Sequence, residues 1–291
     1  MPDTPKKRFP HWMRKRIPAT GRGSHVREIL DRLELETVCS QAHCPNQCEC
    51  FADGTATFMI LGRVCTRHCR FCAVADGAPQ PVRDDEPERL AQAAAEMALQ
   101  HVVITSVTRD DLPDGGARHF ARCIEAVRAK SPGCTIEVLV PDFQGDDACV
   151  DTVADARPDV FNHNVETVRR LYDALRPEAD LDRSLRVLLR AKANAPVTKS
   201  GLMVGAGETH EEVFELMNEL RGVDCDILTI GQYLAPSKAH HEVAAFIEPA
   251  EFERYEREAR TLGFKAVAAG PFVRSSYRAG EELKKLGGGG G

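Results

Sequence analysis

Two cysteine triplets stand close together in the chain, Cys39, Cys44 and Cys50, then Cys65, Cys69 and Cys72, and each offers three thiolates where a closed metal site needs four. The second lies in the run CTRHCRFC, a C-x3-C-x2-C spacing directly after the apolar stretch Thr55 to Leu61, which reads as a strand. A tight loop of this kind wraps three thiolates around one face of a 4Fe-4S cluster and leaves the fourth iron open to a substrate or cofactor. Structural zinc asks for something else. It takes four ligands, commonly as paired C-x2-C knuckles, and no second knuckle follows here. His68 offers a fourth zinc ligand, but neighbours packed this tightly in one loop do not easily close a tetrahedron. Buried, inert thiols are the bland alternative.

With Phe71 just before its last cysteine, the C-x3-C-x2-C run resembles the signature of the radical S-adenosylmethionine enzymes. The resemblance implies that the open iron chelates the amino and carboxylate groups of S-adenosylmethionine, and that one electron cleaves the sulfonium bond to give a 5'-deoxyadenosyl radical. Such a radical removes hydrogen from an unactivated C–H bond, which acid, base and nucleophile chemistry cannot do. The first triplet, in CSQAHCPNQCEC, reads C-x4-C-x5-C and is more discriminating: within the radical enzymes it resembles the lipoyl synthase family. Further matching segments are FNHNVETVRRLY (Phe161 to Tyr172), KSGLMVGAGET (Lys199 to Thr209), ILTIGQYLAPS (Ile227 to Ser237) and GPFVRSSY (Gly270 to Tyr277), so the resemblance runs from about Trp12 to Tyr277.

That resemblance implies a radical sulfurtransferase of lipoate biosynthesis and protein lipoylation. Its substrate is an octanoyl chain on a lysine of a lipoyl carrier domain, as in 2-oxoacid dehydrogenase E2 subunits or the glycine cleavage H protein. Two sulfur atoms enter at C6 and C8. Two 4Fe-4S clusters and S-adenosylmethionine are the implied cofactors. The cluster at Cys65, Cys69 and Cys72 generates the radical; an auxiliary cluster at Cys39, Cys44 and Cys50 is the sulfur donor and is consumed. Ser276, the serine before Tyr277, maps to an unusual fourth ligand of that auxiliary cluster, and a hard alkoxide makes a corner that is easier to release than a thiolate. Ferredoxin or flavodoxin as electron donor and an iron-sulfur carrier for cluster rebuilding are implied partners.

These residues need a scaffold that brings them together. From residue 55 onward, β-branched runs alternate with amphipathic stretches: strands Thr55 to Leu61, Val102 to Val107, Thr135 to Val140, Val160 to His163, Val197 to Val204 and Ile227 to Gln232, and helices Glu86 to Leu99, Ala117 to Ala129, Asp146 to Ala156, Asp182 to Asn194 and His210 to Leu220. Repeated strand and helix units predict an α/β fold with a parallel sheet, here a partial (βα)6 TIM-type barrel. Chemistry in parallel barrels sits at the C-terminal strand ends, where the Cys65 to Cys72 loop falls. Residues 1–54 read as an N-terminal extension carrying the auxiliary ligands, 55–263 as the radical barrel, and 264–291 as a C-terminal extension with the serine and a glycine tail. Both extensions are expected to cover the mouth.

Polar residues at other strand ends are candidates to face the cofactor. Thr105, Ser106 and Asp110 follow the second strand, and Asn162, Asn164 and Glu166 the fourth; Asn and Glu suit ribose hydroxyls or an ammonium group, and Lys199 suits a carboxylate. Turn formation and helix capping compete for each, most directly for Asn164 and Glu166. Gly115 and Gly116 read as a loop before a helix.

The 291 residues suffice for a substantial core, and a net charge of -6 argues against general nucleic-acid binding. The basic run Lys6 to Arg16 with Trp12 is a local exception, either a solvated arm or a docking surface for an acidic partner. Eleven cysteines without a signal peptide, and no apolar run of transmembrane length, point to a reducing cytoplasm. Two departures from the family pattern stand out. Cys48 adds a thiol inside the first triplet, and Phe51 replaces a common tryptophan. Cys123, Cys134, Cys149 and Cys225 lack ligand spacing and read as buried hydrophobes. A methylthiotransferase, a relative of biotin synthase, a non-catalytic iron-sulfur carrier or redox sensor, and a zinc-binding interaction protein are the competing readings.

Overall fold

The central strands carry short apolar runs broken by small or polar residues, and a strand turns successive side chains to opposite faces. In the computed structural model, which describes residues 9–15, 23–53 and 55–287, this alternation sets which face meets the helices. Ten strands are present among the described residues: β1 (Glu36–Thr37), β2 (Thr57–Ile60), β3 (Val64–Cys65), β4 (Ala75–Asp76), β5 (His101–Ser106), β6 (Thr135–Leu139), β7 (Val160–Asn162), β8 (Thr198–Val204), β9 (Ile227–Gln232) and β10 (Ala266–Gly270). The main sheet runs β1-β2-β5-β6-β7-β8-β9-β10, with β1 antiparallel to β2 and every other neighbour parallel; β3 and β4 pair separately.

One face of the sheet is apolar and covered. Val102, Ile104, Ile136, Val138 and Phe161 share a buried cluster with Leu90, Phe120, Ile124 and Val150 of the helices Glu86–Glu96, Ala117–Lys130 and Asp147–Asp155. On the other half, Leu202, Val204, Leu228 and Ile230 pack with Val213, Leu216 and Phe252 of His210–Gly222 and Pro249–Thr261. By alternation the opposite, concave face carries Thr105, Glu137, Asn162, Lys199, Gly201, Thr229 and Gly231. A closed TIM barrel fills this space with Val, Ile and Leu. Here polar and small residues share that face with Val103, Leu139, Val160, Met203 and Ile227, so the interior is mixed and not wholly aliphatic.

Helix starts follow the sequence signals. Asp146 accepts from the Ala148 amide and Asp180 from the Arg183 amide, and Thr209 with Glu212 forms a capping box before His210–Gly222. The six expected strands and five expected helices are present, with ends moved by a few residues at most. The sheet gains a strand at each edge beyond the six that the patterning predicts, the short antiparallel β1 and the parallel β10. Ala266–Gly270 lies parallel to β9, so the segment after Phe264 begins as part of the sheet and only then turns back over it. Its run of Ala and Gly has low strand propensity, which is why sequence periodicity does not mark it.

The N-terminal segment is not a separate body. Val26, Ile29, Leu30 and Phe51, from Ser24–Arg32 and Gln47–Ala52, lie in the same buried cluster as Phe58 and Ile60 of β2. Residues 6–8 and 16 of the basic run, and 288–291 of the glycine tail, lie outside the described residues. Among the described residues no helix is long and apolar enough to cross a membrane.

Candidate active site

The loop after β2 is fixed by its backbone before any metal is considered. Thr66 donates its amide to the Thr108 carbonyl at 3.0 Å, Arg70 donates to Leu175 O at 2.8 Å, and Gly77 donates to Cys65 O at 2.9 Å. Amides of Arg67 and Thr108 point at Cys65 Sγ, at 3.4 and 3.3 Å, as donors suited to a thiolate. Arg67 forks onto Asp110 and reaches Asp142 at 2.8 Å, so the loop after β5 and the loop after β6 are both tied to the cysteine loop. From the far side, His240 Nε2 meets the Cys72 carbonyl at 2.9 Å and the His241 amide donates to Arg70 O. Burial first, then the neighbouring thiols of this triplet, push Cys69 up to about 11 and Cys72 up to about 12. Thiols so placed stay protonated until a cation takes the charge, so loading a cluster releases protons. His68 turns away: its side chain is 68% exposed and faces Glu178 at 3.1 Å.

The other strand-end residues divide. Asn164 donates Nδ2 to Glu166 Oε1 at 3.1 Å and to Ser275 Oγ at 2.6 Å; no helix starts there, so the capping alternative does not form. Glu166 has φ 66°, bridges to Leu202, and is raised by burial against the pull of Arg176. Thr105 donates its hydroxyl to Leu139 O on the next strand, at 3.0 Å, and Asp110 is held by Arg67. Lys199 is engaged inside the barrel. Its ammonium lies 2.9 and 3.1 Å from the two oxygens of Glu137, and Asn162 Nδ2 donates to the same carboxylate at 3.0 Å. Burial alone would raise Glu137; Lys199, helped by His101, overrides it and holds the carboxylate below its usual range. Lys199 sits at the N-terminal end of β8, away from the mouth, in line with its place near the start of the expected strand Val197 to Val204. Gly115 and Gly116 form the turn into Ala117–Lys130.

The first triplet borders a cavity of about 460 Å³. Cys39, Cys44, Cys50 and Ser276 all line it, with Asn46, Thr57, His101, Val103 and Arg274. Cys48, two residues away, is exposed and lies outside the lining. Burial, then Cys39 and Cys44, push Cys50 up to about 12. Among the described residues no three His, Cys, Asp or Glu side chains draw in to hold a single metal ion. The C-terminal segment reaches this place by crossing the concave face. A Cβ on Gly201 would stand 2.9 Å from Ser275 Oγ and one on Gly231 2.2 Å from Val273 O, so both strands need glycine to let the segment pass.

The Radical SAM superfamily model matches residues 59–220 of the chain. A lipoyl synthase of Caldanaerobacter subterraneus subsp. tengcongensis is 56% identical over 274 residues, covering 94% of this chain and 96% of its own. The chain belongs to the lipoyl synthase family. Lipoyl synthases of Caldicellulosiruptor saccharolyticus, 53% identical over 94% of this chain and 97% of theirs, and of Pseudomonas putida strain W619, 52% identical over 96% and 83%, agree. Among solved structures, Streptococcus suis SuiB bound to S-adenosylmethionine superposes with a TM-score of 0.57 at 12% identity, over 72% of this chain and 49% of that one. Methylornithine synthase (PylB) gives 0.55 at 14%, over 88% and 84%. At these identities the likeness concerns the fold.

Superfamily membership brings a 4Fe-4S cluster and S-adenosylmethionine. The corner at Asn164 suits a polar ligand: beside Glu166 and Ser275, its buried Oδ1 has no hydrogen-bond partner, and buried polar groups in native proteins are nearly always paired. Three groups of the site escape sequence reasoning. Arg176 donates to the carbonyls of Asn164 and Val165 and faces Glu166 and Cys69. His163 is buried and donates its Nδ1–H to Val140 O at 2.8 Å. Arg274 lines the cavity of the first triplet and feels both Cys44 and Glu166, while burial pulls its pKa down. Arg274, inside the RSSY run, adjoins the serine pair; nothing in local spacing marks the other two.

Proposed function

We propose that this member of the lipoyl synthase family inserts two sulfur atoms at C6 and C8 of a protein-bound octanoyl-lysine, with a 4Fe-4S cluster on Cys65, Cys69 and Cys72 and an auxiliary cluster on Cys39, Cys44, Cys50 and Ser276 as sulfur donor. The observation that carries the reading is the shared cavity of Cys39, Cys44, Cys50 and Ser276, which joins two segments more than two hundred residues apart in sequence. S-adenosylmethionine at the open iron of the first cluster supplies a carbon radical able to take hydrogen from an alkyl chain.

The chain's own groups then have definite tasks. Backbone amides of Arg67 and Thr108 donate to Cys65 Sγ and orient it in the loop. Asn164, Glu166 and Ser106 are positioned at the mouth to hydrogen-bond the cofactor's polar atoms, and Thr105 and Asn162 support them from within the barrel. Lys199 acts indirectly, by holding Glu137 and so Asn162. The C-terminal segment keeps Ser275 on Asn164 and Ser276 on the auxiliary cavity, so adjacent residues face the two halves of the reaction. Octanoylated lipoyl carrier domains are the macromolecular substrate. Ferredoxin or flavodoxin fits the need for an electron, and an iron-sulfur carrier the need to restore a consumed cluster.

The test is anaerobic mass spectrometry of an octanoyl-lysine peptide incubated with reconstituted protein, dithionite and S-adenosylmethionine. Gain of two sulfurs together with 5'-deoxyadenosine is the expected result. Deoxyadenosine without sulfur insertion would point to another substrate, and neither product would favour a non-catalytic iron-sulfur carrier.

A further inference from the structure

The described part of the basic N-terminal arm is not free in solution. Phe9 packs its ring against Phe246 with centroids 5.4 Å apart, Trp12 donates its indole N–H to Ile247 O at 3.1 Å, and Met13 is buried. The arm ends against the wall of the auxiliary cavity. Lys15 Nζ donates to Asn46 Oδ1 at 2.6 Å, pairs with Glu49, and lies 5.0 and 5.5 Å from the ring centroids of Tyr277 and Phe272. Glu49, between Cys48 and Cys50, also accepts from the Tyr277 hydroxyl at 2.6 Å and faces Arg278; Asn46 Nδ2 donates to Phe272 O at 2.7 Å. Three segments distant in sequence therefore meet at one ammonium: the arm, the helix bearing Cys50, and the segment bearing Ser276.

We propose that the arm is a latch on the auxiliary cavity, with Lys15 the positioning residue that clasps the serine-bearing segment to the cysteine-bearing helix. The proposal rests on the reading of this cavity as the sulfur-donor site. A site whose iron and sulfide are removed and replaced in each turnover needs a wall that opens. Thr57, His101 and Val103 contribute a wall that belongs to the hydrogen-bonded sheet and cannot move without breaking it. The opposite wall, Arg274 to Glu281 against Asn46 and Cys50, is closed at the clasp by side chains. The side chains of Lys15 and Glu49 are 24% and 21% exposed, so water reaches the pair and holds its strength to a modest level. Local opening proceeds through contacts of this kind before it disturbs a sheet.

The experiment uses the full chain carrying C65A, C69A and C72A, so that only the auxiliary site takes iron, reconstituted anaerobically and exposed to the ferrous chelator ferrozine. Lys15→Met keeps the aliphatic bulk and removes the charge and donors; Lys15→Arg keeps the cation. The parent is expected to load about four irons per chain. Lys15→Met should load equally but release iron about tenfold faster, and Lys15→Arg should stay near the parent rate; a tenfold change corresponds to about 1.4 kcal/mol. Tyr277→Phe, which removes only the hydroxyl donor to Glu49, should also accelerate release and serves if Lys15→Met fails to fold. Unchanged release in the folded variants overturns the latch, as does equal acceleration in Lys15→Met and Lys15→Arg. A parent that takes up no iron overturns the auxiliary-site reading itself, and with it the latch.

Discussion

Asn164 Nδ2 donates to Ser275 Oγ at 2.6 Å, across 111 residues of sequence, and this bond fixes which of two adjacent serines faces which site. With Ser275 held at the end of β7, Ser276 is left lining the cavity with Cys39, Cys44 and Cys50. Ser276→Ala is expected to abolish sulfur insertion and alter the electron paramagnetic resonance of the auxiliary cluster, while S-adenosylmethionine cleavage continues. Ser275→Ala should keep the iron load and lose only about one hydrogen bond, roughly 1 kcal/mol. Iron analysis and product assays on the two variants separate the roles.

The two triplets should fail differently. Cys39→Ala, Cys44→Ala or Cys50→Ala should remove lipoyl product and leave 5'-deoxyadenosine formation measurable, whereas Cys65→Ala should remove both. Cys48 is exposed and outside the cavity, so Cys48→Ala should retain product formation. Chromatography of deoxyadenosine beside mass spectrometry of the peptide reads each outcome.

Lys199 and Glu137 form an ion pair with both side chains 1% exposed. Breaking such a pair from one side leaves a buried charge, at a cost of about 3–5 kcal/mol. Lys199→Met should therefore unfold at clearly lower urea concentration, and adding Glu137→Gln should recover much of the loss. If the double variant were no more stable than Lys199→Met, the unpaired carboxylate would not be the cause.

Stability should also fall in mild acid through His163. Burial, with Arg176 beside it, lowers this histidine to about 4, against the opposing pull of the Val140 carbonyl and Asp142. Above about pH 6.5 the ring is neutral in both folded and unfolded chains and contributes no pH dependence. Between 6.5 and 4 the unfolded chain binds a proton that the folded one refuses, so stability drops as pH falls, by at most about 1.4 kcal/mol per pH unit for one proton. Urea titrations at several pH values should show a shallower slope for His163→Gln than for the parent.

The sequence by itself determined the chemistry and most of the scaffold. Thiolate spacing is a local property, so C-x3-C-x2-C and C-x4-C-x5-C are readable without coordinates, and short β-branched, apolar runs separated by amphipathic stretches mark β5 to β9. Tertiary structure decided what depends on distant partners and on chain return. Lys199 looks free in sequence because its partner Glu137 is 62 residues away. The strand Ala266–Gly270 forms because β9 offers an unpaired edge, which overrides the weak propensity of Ala and Gly. The basic arm reads as solvated or as a docking surface until Trp12 and Lys15 are seen bound to Ile247, Asn46 and Glu49. Each of these contacts joins residues far apart along the chain, and local pattern carries no information about a partner that only folding brings near.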